Sequence, residues 1–216
     1  MPIFHHIETH KRFFFIHIPR TGGRFLGENF LSNGFNIEHH LTKEILNDKK
    51  KIHDYLWTYI EGVEIPHAPR AIYSKWKNIK SLPSIAVVRN PVNRFFSGSF
   101  VLQKNFNQSY VENWTKFKKI LSKEILITND KNHGNWFQPQ HTFISAKTNV
   151  WKYEDGLGKA FWNWFNNIVH DKSEKKTDFY SFIPTVYNKL KRTNKLISNI
   201  NRFYKKDFKQ FNYGTL

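Results

Sequence analysis

Two uninterrupted apolar runs dominate the pattern of this chain, Phe13–Ile16 (F-F-F-I) and Ser84–Val88 (S-I-A-V-V). Continuous rather than alternating apolar residues, bounded by Gly, Pro or polar residues, predict strands buried on both faces. The first run leads into His17-Ile18-Pro19-Arg20-Thr21-Gly22-Gly23-Arg24. After the glycines, Phe25, Leu26, Phe30 and Leu31 fall at i, i+1, i+5 and i+6, a spacing compatible with one helix face. The second run leads into Arg89-Asn90-Pro91, where Asn90 can cap and Pro91 suits a first helical turn. Phe95, Phe96, Ser99 and Leu102 then continue a helix. Two buried strands, each feeding a helix, predict an α/β fold with a central parallel sheet flanked by helices.

The remaining segments are read around that frame. His5–Lys11 is a polar lead-in, with His5, His6 and His10 taken as surface residues. Asn33-Gly34 signals a turn. Leu41–Tyr59 has helical spacing with Thr42 as a cap. Gly62–Pro69 (G-V-E-I-P-H-A-P) predicts a loop, since two prolines block both helix and central strand. Arg70–Ile79 predicts a short helix, Asn113–Leu126 an amphipathic one, and Asn129–Asn135 a loop. Trp136–Ile144 opens an ordered segment, Asn149–Tyr153 is a short strand, and Gly158–Val169 is a buried helix. Asp171–Thr177 is a charged, mobile stretch. The tail from Thr193 predicts one amphipathic helix carrying Ile197, Ile200, Phe203, Tyr204, Phe208 and Phe211. No repeat or linker interrupts the chain, so residues 1–216 are expected to form one domain.

The strand–Gly loop–helix order at Phe13–Leu26 aims main-chain N–H groups and a helix N-terminus at one point, which makes an anion site. Arg20 and Arg24 beside it favour phosphate or sulfate. The nucleotide signature G-x-x-x-x-G-K-[ST] is absent, which argues against a kinase or NTPase. The second strand ends in Arg89, where a magnesium-dependent hydrolase usually places Asp; a guanidinium repels a cation and attracts an anion. Ligands of open α/β sheets bind at the carboxyl ends of strands. Arg94 and Ser97 lie three apart and share a helix face. Arg20, Arg24, Arg89, Arg94 and Ser97 are therefore expected to converge on one ligand with two anionic groups.

Composition narrows the chemistry further. The 216 residues carry a formal net charge of +17 and 17% aromatics, enough for a sizeable core and an anionic partner. The charge is spread along the chain, so a solvated lysine surface accounts for much of it, and nucleic acid is not the expected partner. A basic module for nucleic acid or acidic glycan remains the alternative class. There are no cysteines, which excludes disulfides and thiolate metal sites. No signal peptide and no apolar stretch of membrane-spanning length is evident, so the expected location is cytoplasmic.

I-H-I-P-R-T-G-G-R-F resembles the 5′-phosphosulfate loop of sulfotransferases, particularly their carbohydrate branch. V-V-R-N-P-V-N-R-F-F-S is similar to that family's 3′-phosphate motif, R-x-P-x-x-R-x-x-S. Weaker similarity extends to Trp136–Ile144, Val150–Asp155 and Phe203–Tyr213. The resemblance implies a P-loop-like three-layer fold, the donor 3′-phosphoadenosine 5′-phosphosulfate (PAPS), and transfer of its sulfuryl group to a saccharide hydroxyl without a metal. It implies that Arg20, Thr21, Gly22, Gly23, Arg24 and Phe25 hold the 5′-phosphosulfate. Arg89 and Ser97, with Arg94 in the same motif, would hold the 3′-phosphate. The family usually has Lys at the place of Arg20, where it stabilises the departing phosphate; Arg keeps the charge but not the shape. A His or Glu upstream of the 3′-phosphate motif serves the family as general base, and His67 is the candidate. His141 and Glu154 are lesser ones, and His17 is expected to pack beside the loop. A catalytically degenerate sulfotransferase-like protein is the intermediate reading.

Overall fold

The computed structural model describes residues 2–40, 70–74, 79–106, 136–169 and 193–215. The expected helices at Leu41–Tyr59 and Asn113–Leu126, the Gly62–Pro69 loop with His67, the Asn129–Asn135 loop and the Asp171–Thr177 stretch lie outside them.

The two apolar runs are strands, β2 (Arg12–Ile16) and β4 (Ser84–Val88). With β1 (Pro2–His6), β3 (Phe35–His40) and β5 (Asn149–Lys152) they form one sheet in the order β3-β1-β2-β4-β5. β2 pairs parallel with β4, and β4 with β5. β1 runs antiparallel to both of its neighbours, so the sheet is mixed rather than parallel throughout. The polar lead-in is in fact the second half of a hairpin strand and its turn. His6 is buried, edge-on to the Phe35 ring at 4.7 Å, and its Nδ1 accepts the Thr9 N–H at 3.1 Å. A histidine with its ring nitrogen satisfied is tolerated inside, which is why its polarity misled.

Alternation along the strands divides the core between two faces. Ile3, Phe14, Ile16, Ala86 and Val88 face Tyr73, Phe143, Ile144 and Phe211. Phe4, Phe13, Phe15, Ile85 and Val87 face the helices α1 (Gly23–Ser32) and, following β5 in the chain, Lys159–Val169, through Leu26, Phe30, Phe161, Trp162 and Phe165. Leu31, expected on the buried stripe of α1, is 40% exposed. Of the expected helix Arg70–Ile79, Arg70–Tyr73 forms a helical turn, α2, and residues 75–78 lie outside the described ones. The helix after Pro91, α3, runs Pro91–Phe106, and Asn90 Oδ1 caps it by accepting the Val92 and Asn93 N–H groups at 3.0 and 3.2 Å. With Lys159–Val169 as α4, the tail holds α5 (Asn194–Phe203) and α6 (Lys205–Gln210). The expected single terminal helix is broken at Tyr204, where the chain bends to seat Leu196, Ile200, Tyr204 and Phe208 against Val92, Phe95, Phe96 and Phe137 on α3's side. Among the described residues no helix is long and apolar enough to cross a membrane.

Two buried phenols make this core alkali-sensitive. The Tyr73 and Tyr204 hydroxyls donate to the carbonyls of Phe143 and Phe137, each at 2.6 Å. Burial raises both pKa values well above the usual phenol range, opposed in Tyr204 by the Arg94 cation. Because the folded pKa is the higher, this stabilisation is complete below the unfolded value of about 10 and is lost as pH rises from there. Stability should fall by roughly 3 kcal/mol per pH unit above about pH 10 from the two together. Thermal melts across that range should show the fall, to which Tyr213, raised by burial and by Glu154, also contributes, and Tyr204→Phe should lessen the slope by about 1.4 kcal/mol per pH unit; an unchanged slope in that variant would contradict the assignment.

Candidate functional site

The site forms where β2 and β4 end side by side. Leaving β2, the chain passes Ile18 and Pro19 and turns at Arg20, whose φ of 67° is left-handed, an uncommon conformation for a residue with a side chain. Thr21 is buried, and its hydroxyl donates to the Ile18 carbonyl at 2.8 Å, so that hydroxyl braces the turn. Gly22, at φ 87°, is the N-cap of α1, and no side chain caps that terminus. The first helical hydrogen bond is Leu26 N–H to the Gly22 carbonyl at 3.0 Å, leaving the N–H groups of Gly23, Arg24 and Phe25 ahead of the ladder. Gly23 is obligatory for a different reason: a Cβ there would lie 1.9 Å from the His17 ring. His17 thus packs under the loop, stacked on Phe15 at 5.8 Å.

From the second stretch comes the answering set. Arg20 donates through Nε and Nη2 to Ser97 Oγ at 3.2 and 3.1 Å, across 77 residues of sequence. Arg89 donates through Nη1 to the Arg20 carbonyl at 3.4 Å. The Arg89 guanidinium lies 4.7 Å over the Tyr153 ring, and that of Arg20 lies 5.7 Å from the Trp136 ring centre. Arg89 is 7% exposed, and its Nε, like that of Arg94, has no hydrogen-bond partner among the described residues. The two stretches therefore meet, with Arg20, Arg89, Ser97 and the N-terminus of α1, which no side chain caps, gathered in one place.

Two expected members depart from this cluster. Arg24 turns outward and pairs with Glu28 at 3.0 Å, both side chains exposed, an i,i+4 ion pair of small energy. Its position one residue inside the helix rotates the side chain away from the loop, leaving only its main chain there. Arg94 shares its buried helix face with Ser97 as expected, yet at 1% exposure its guanidinium is used by the protein. It donates to the carbonyls of Trp136 at 3.0 Å, Gln138 at 2.5 Å and Pro19 at 3.5 Å, and lies 5.5 Å from the Tyr204 ring centre. Burial lowers its pKa, opposed by Tyr204 and Asp207 and reinforced by Arg89. Arg94 is a strut that ties the loop after β2 to the segment at Trp136–Gln138. Neither Arg89 nor Arg94 has a carboxylate within ion-pairing distance among the described residues. Asp207 acts on Arg94 through space, and no described carboxylate pairs directly with Arg89, so an anionic ligand would be favoured beside it.

Sequence reasoning missed the support beneath Arg89. Gln140 is fully buried; its Oε1 accepts the Arg89 N–H at 2.8 Å and its Nε2 donates to the Arg89 carbonyl at 2.7 Å. Asp207, on α6 and also fully buried, accepts the N–H groups of Gln140 and His141 at 2.7 and 2.9 Å and meets His141 Nδ1 at 2.7 Å. Only the weak similarity of Trp136–Ile144 and Phe203–Tyr213 hinted at either segment. His141 is thus oriented by a carboxylate, while Glu154 spends one oxygen on the Asn90 N–H at 2.8 Å and the other on the Tyr213 hydroxyl at 2.7 Å. Lys-rich patches near Lys49, Lys116 and Lys175, and the His67 base candidate, lie outside the described residues.

Fold and site together define an α/β protein with a cluster of arginines and a helix N-terminus at the carboxyl ends of its parallel strands. No protein-family model, no curated protein and no solved structure matches the chain.

Proposed function

We propose that this cluster binds a nucleotide with two separate anionic groups, PAPS, and that the protein transfers its sulfuryl group to a carbohydrate hydroxyl within a P-loop-like three-layer fold. The observation that carries this reading is the meeting of Arg20 with Ser97 and Arg89, from two motifs far apart in sequence. The loop N–H groups from Gly22 to Phe25 and the Arg20 guanidinium would receive the 5′-phosphosulfate; Arg89 and Ser97 would receive the 3′-phosphate. The acceptor oxygen forms a bond to sulfur as the bond from sulfur to the phosphate oxygen breaks, and 3′-phosphoadenosine 5′-phosphate (PAP) leaves. Charge stabilisation and alignment carry most of such a transfer, and Arg20 would neutralise the leaving phosphate. The acceptor proton needs a base. His67 is placed for it by sequence order, and His141 is the candidate whose ring Asp207 already orients.

A second reading, binding without turnover, is favoured by one contact: Arg20 stands where Lys is usual, and its guanidinium is already engaged with Ser97. Calorimetry separates the readings from a plain basic surface. PAP titrated without Mg²⁺ should bind in the micromolar range or tighter, about −8 kcal/mol. PAP binding with no release of PAP from PAPS in the presence of oligosaccharides would leave only the second reading. No binding at high micromolar PAP would end both.

A further inference from the structure

We infer that Gln140 and Asp207 are positioning residues that set Arg89 for the outer phosphate of the ligand, so that the C-terminal helix α6 is part of the anion site. The inference rests on the nucleotide reading above. Arg89 is the first residue beyond β4, and the register of β4 with β5 ends at Val88 opposite Lys152. Past that point neither neighbouring strand extends the ladder to the Arg89 main chain. Gln140 takes over, spending both polar atoms of its side chain on the N–H and carbonyl of that one residue. The bond pair fixes the direction in which the Arg89 side chain leaves the backbone, and so the place of its guanidinium over Tyr153.

Gln140 is itself held. It opens a short 3₁₀ turn, Gln140–Thr142, whose first N–H groups have no partner within the turn. Asp207 Oδ2 takes the Gln140 N–H and Oδ1 takes that of His141. A fully buried carboxylate with no lysine or arginine bonded to it among the described residues is costly unless its hydrogen bonds are complete. Here they are supplied by main-chain N–H groups and the His141 ring. The line of contact therefore runs from α6 through Asp207 and Gln140 to Arg89, whose side chain meets the 5′ loop through one long bond, to the Arg20 carbonyl at 3.4 Å. A support acting through Arg89 should alter recognition of the 3′-phosphate far more than that of the 5′ group.

Titrating PAP and AMP, which lacks the 3′-phosphate, into the whole protein and into Gln140→Leu tests this. The wild type should prefer PAP. Gln140→Leu should lower that preference about tenfold, the loss of one hydrogen-bonded charge contact, while AMP affinity stays within about twofold. Asp207→Asn should shift the ratio in the same direction by less. If Gln140→Leu does not fold, Gln140→Glu serves, since it keeps the acceptor for the Arg89 N–H and removes the donor to the carbonyl. A PAP-to-AMP ratio equal to that of the wild type, whether or not both affinities fall, would show that Gln140 supports only the fold. Wild-type protein that binds neither nucleotide overturns the nucleotide reading, and this inference with it.

Discussion

Arg94→Leu should cost roughly 3–5 kcal/mol of stability, a large share of what a domain of this size has. The substitution removes the donors that satisfy the carbonyls of Trp136 and Gln138, and each buried carbonyl left unmet costs about 1–3 kcal/mol. Part of that loss is offset because a buried cation no longer has to be desolvated. Leucine is also shorter, so the space beside Tyr204 is left partly empty. Melting followed by circular dichroism should show a fall on the order of 10 °C. Arg94→Lys should recover little of it, because one ammonium cannot serve carbonyls spread on both sides of a planar fork. A variant that melts like the wild type and fails only in ligand binding would mean that Arg94 faces the ligand after all.

For Arg89→Ala the expectation is the reverse. Its side chain makes one long bond, to the Arg20 carbonyl at 3.4 Å, and stacks over Tyr153, so the fold loses little without it. Binding should suffer heavily, since a buried cation facing an anion is worth about 2–5 kcal/mol, or some 30-fold to several-thousand-fold in affinity. PAP calorimetry beside a melt of the unliganded variant reads both quantities. Unaltered PAP affinity would remove Arg89 from the site. The pair of variants therefore separates two arginines that stand five apart in one motif and look alike on paper.

That contrast marks the limit of sequence reading here. The strands β2 and β4 announce themselves, because F-F-F-I and S-I-A-V-V suit no other buried element of that length. The loop at Arg20 and the cap at Asn90 were equally legible, being local: turn chemistry and capping depend on neighbours within a few residues. β1 and β3 were not, since P-I-F-H-H and F-N-I-E-H-H mix apolar residues with histidines, and the burial of His6 depends on Phe35, brought beside it by strand pairing.

By itself the chain determined which stretches cross the core, where they end, and that cationic residues stand at those ends. Only the tertiary structure decided what each cation does. Arg24 was turned to Glu28 by its place on the helix, Arg94 was claimed by carbonyls 42 and 44 residues away, and Arg89 was left with one long side-chain hydrogen bond on a backbone gripped by Gln140. Helix periodicity assigns a side chain to a face. Its hydrogen-bond partners come from segments brought near by packing, and no local pattern encodes them.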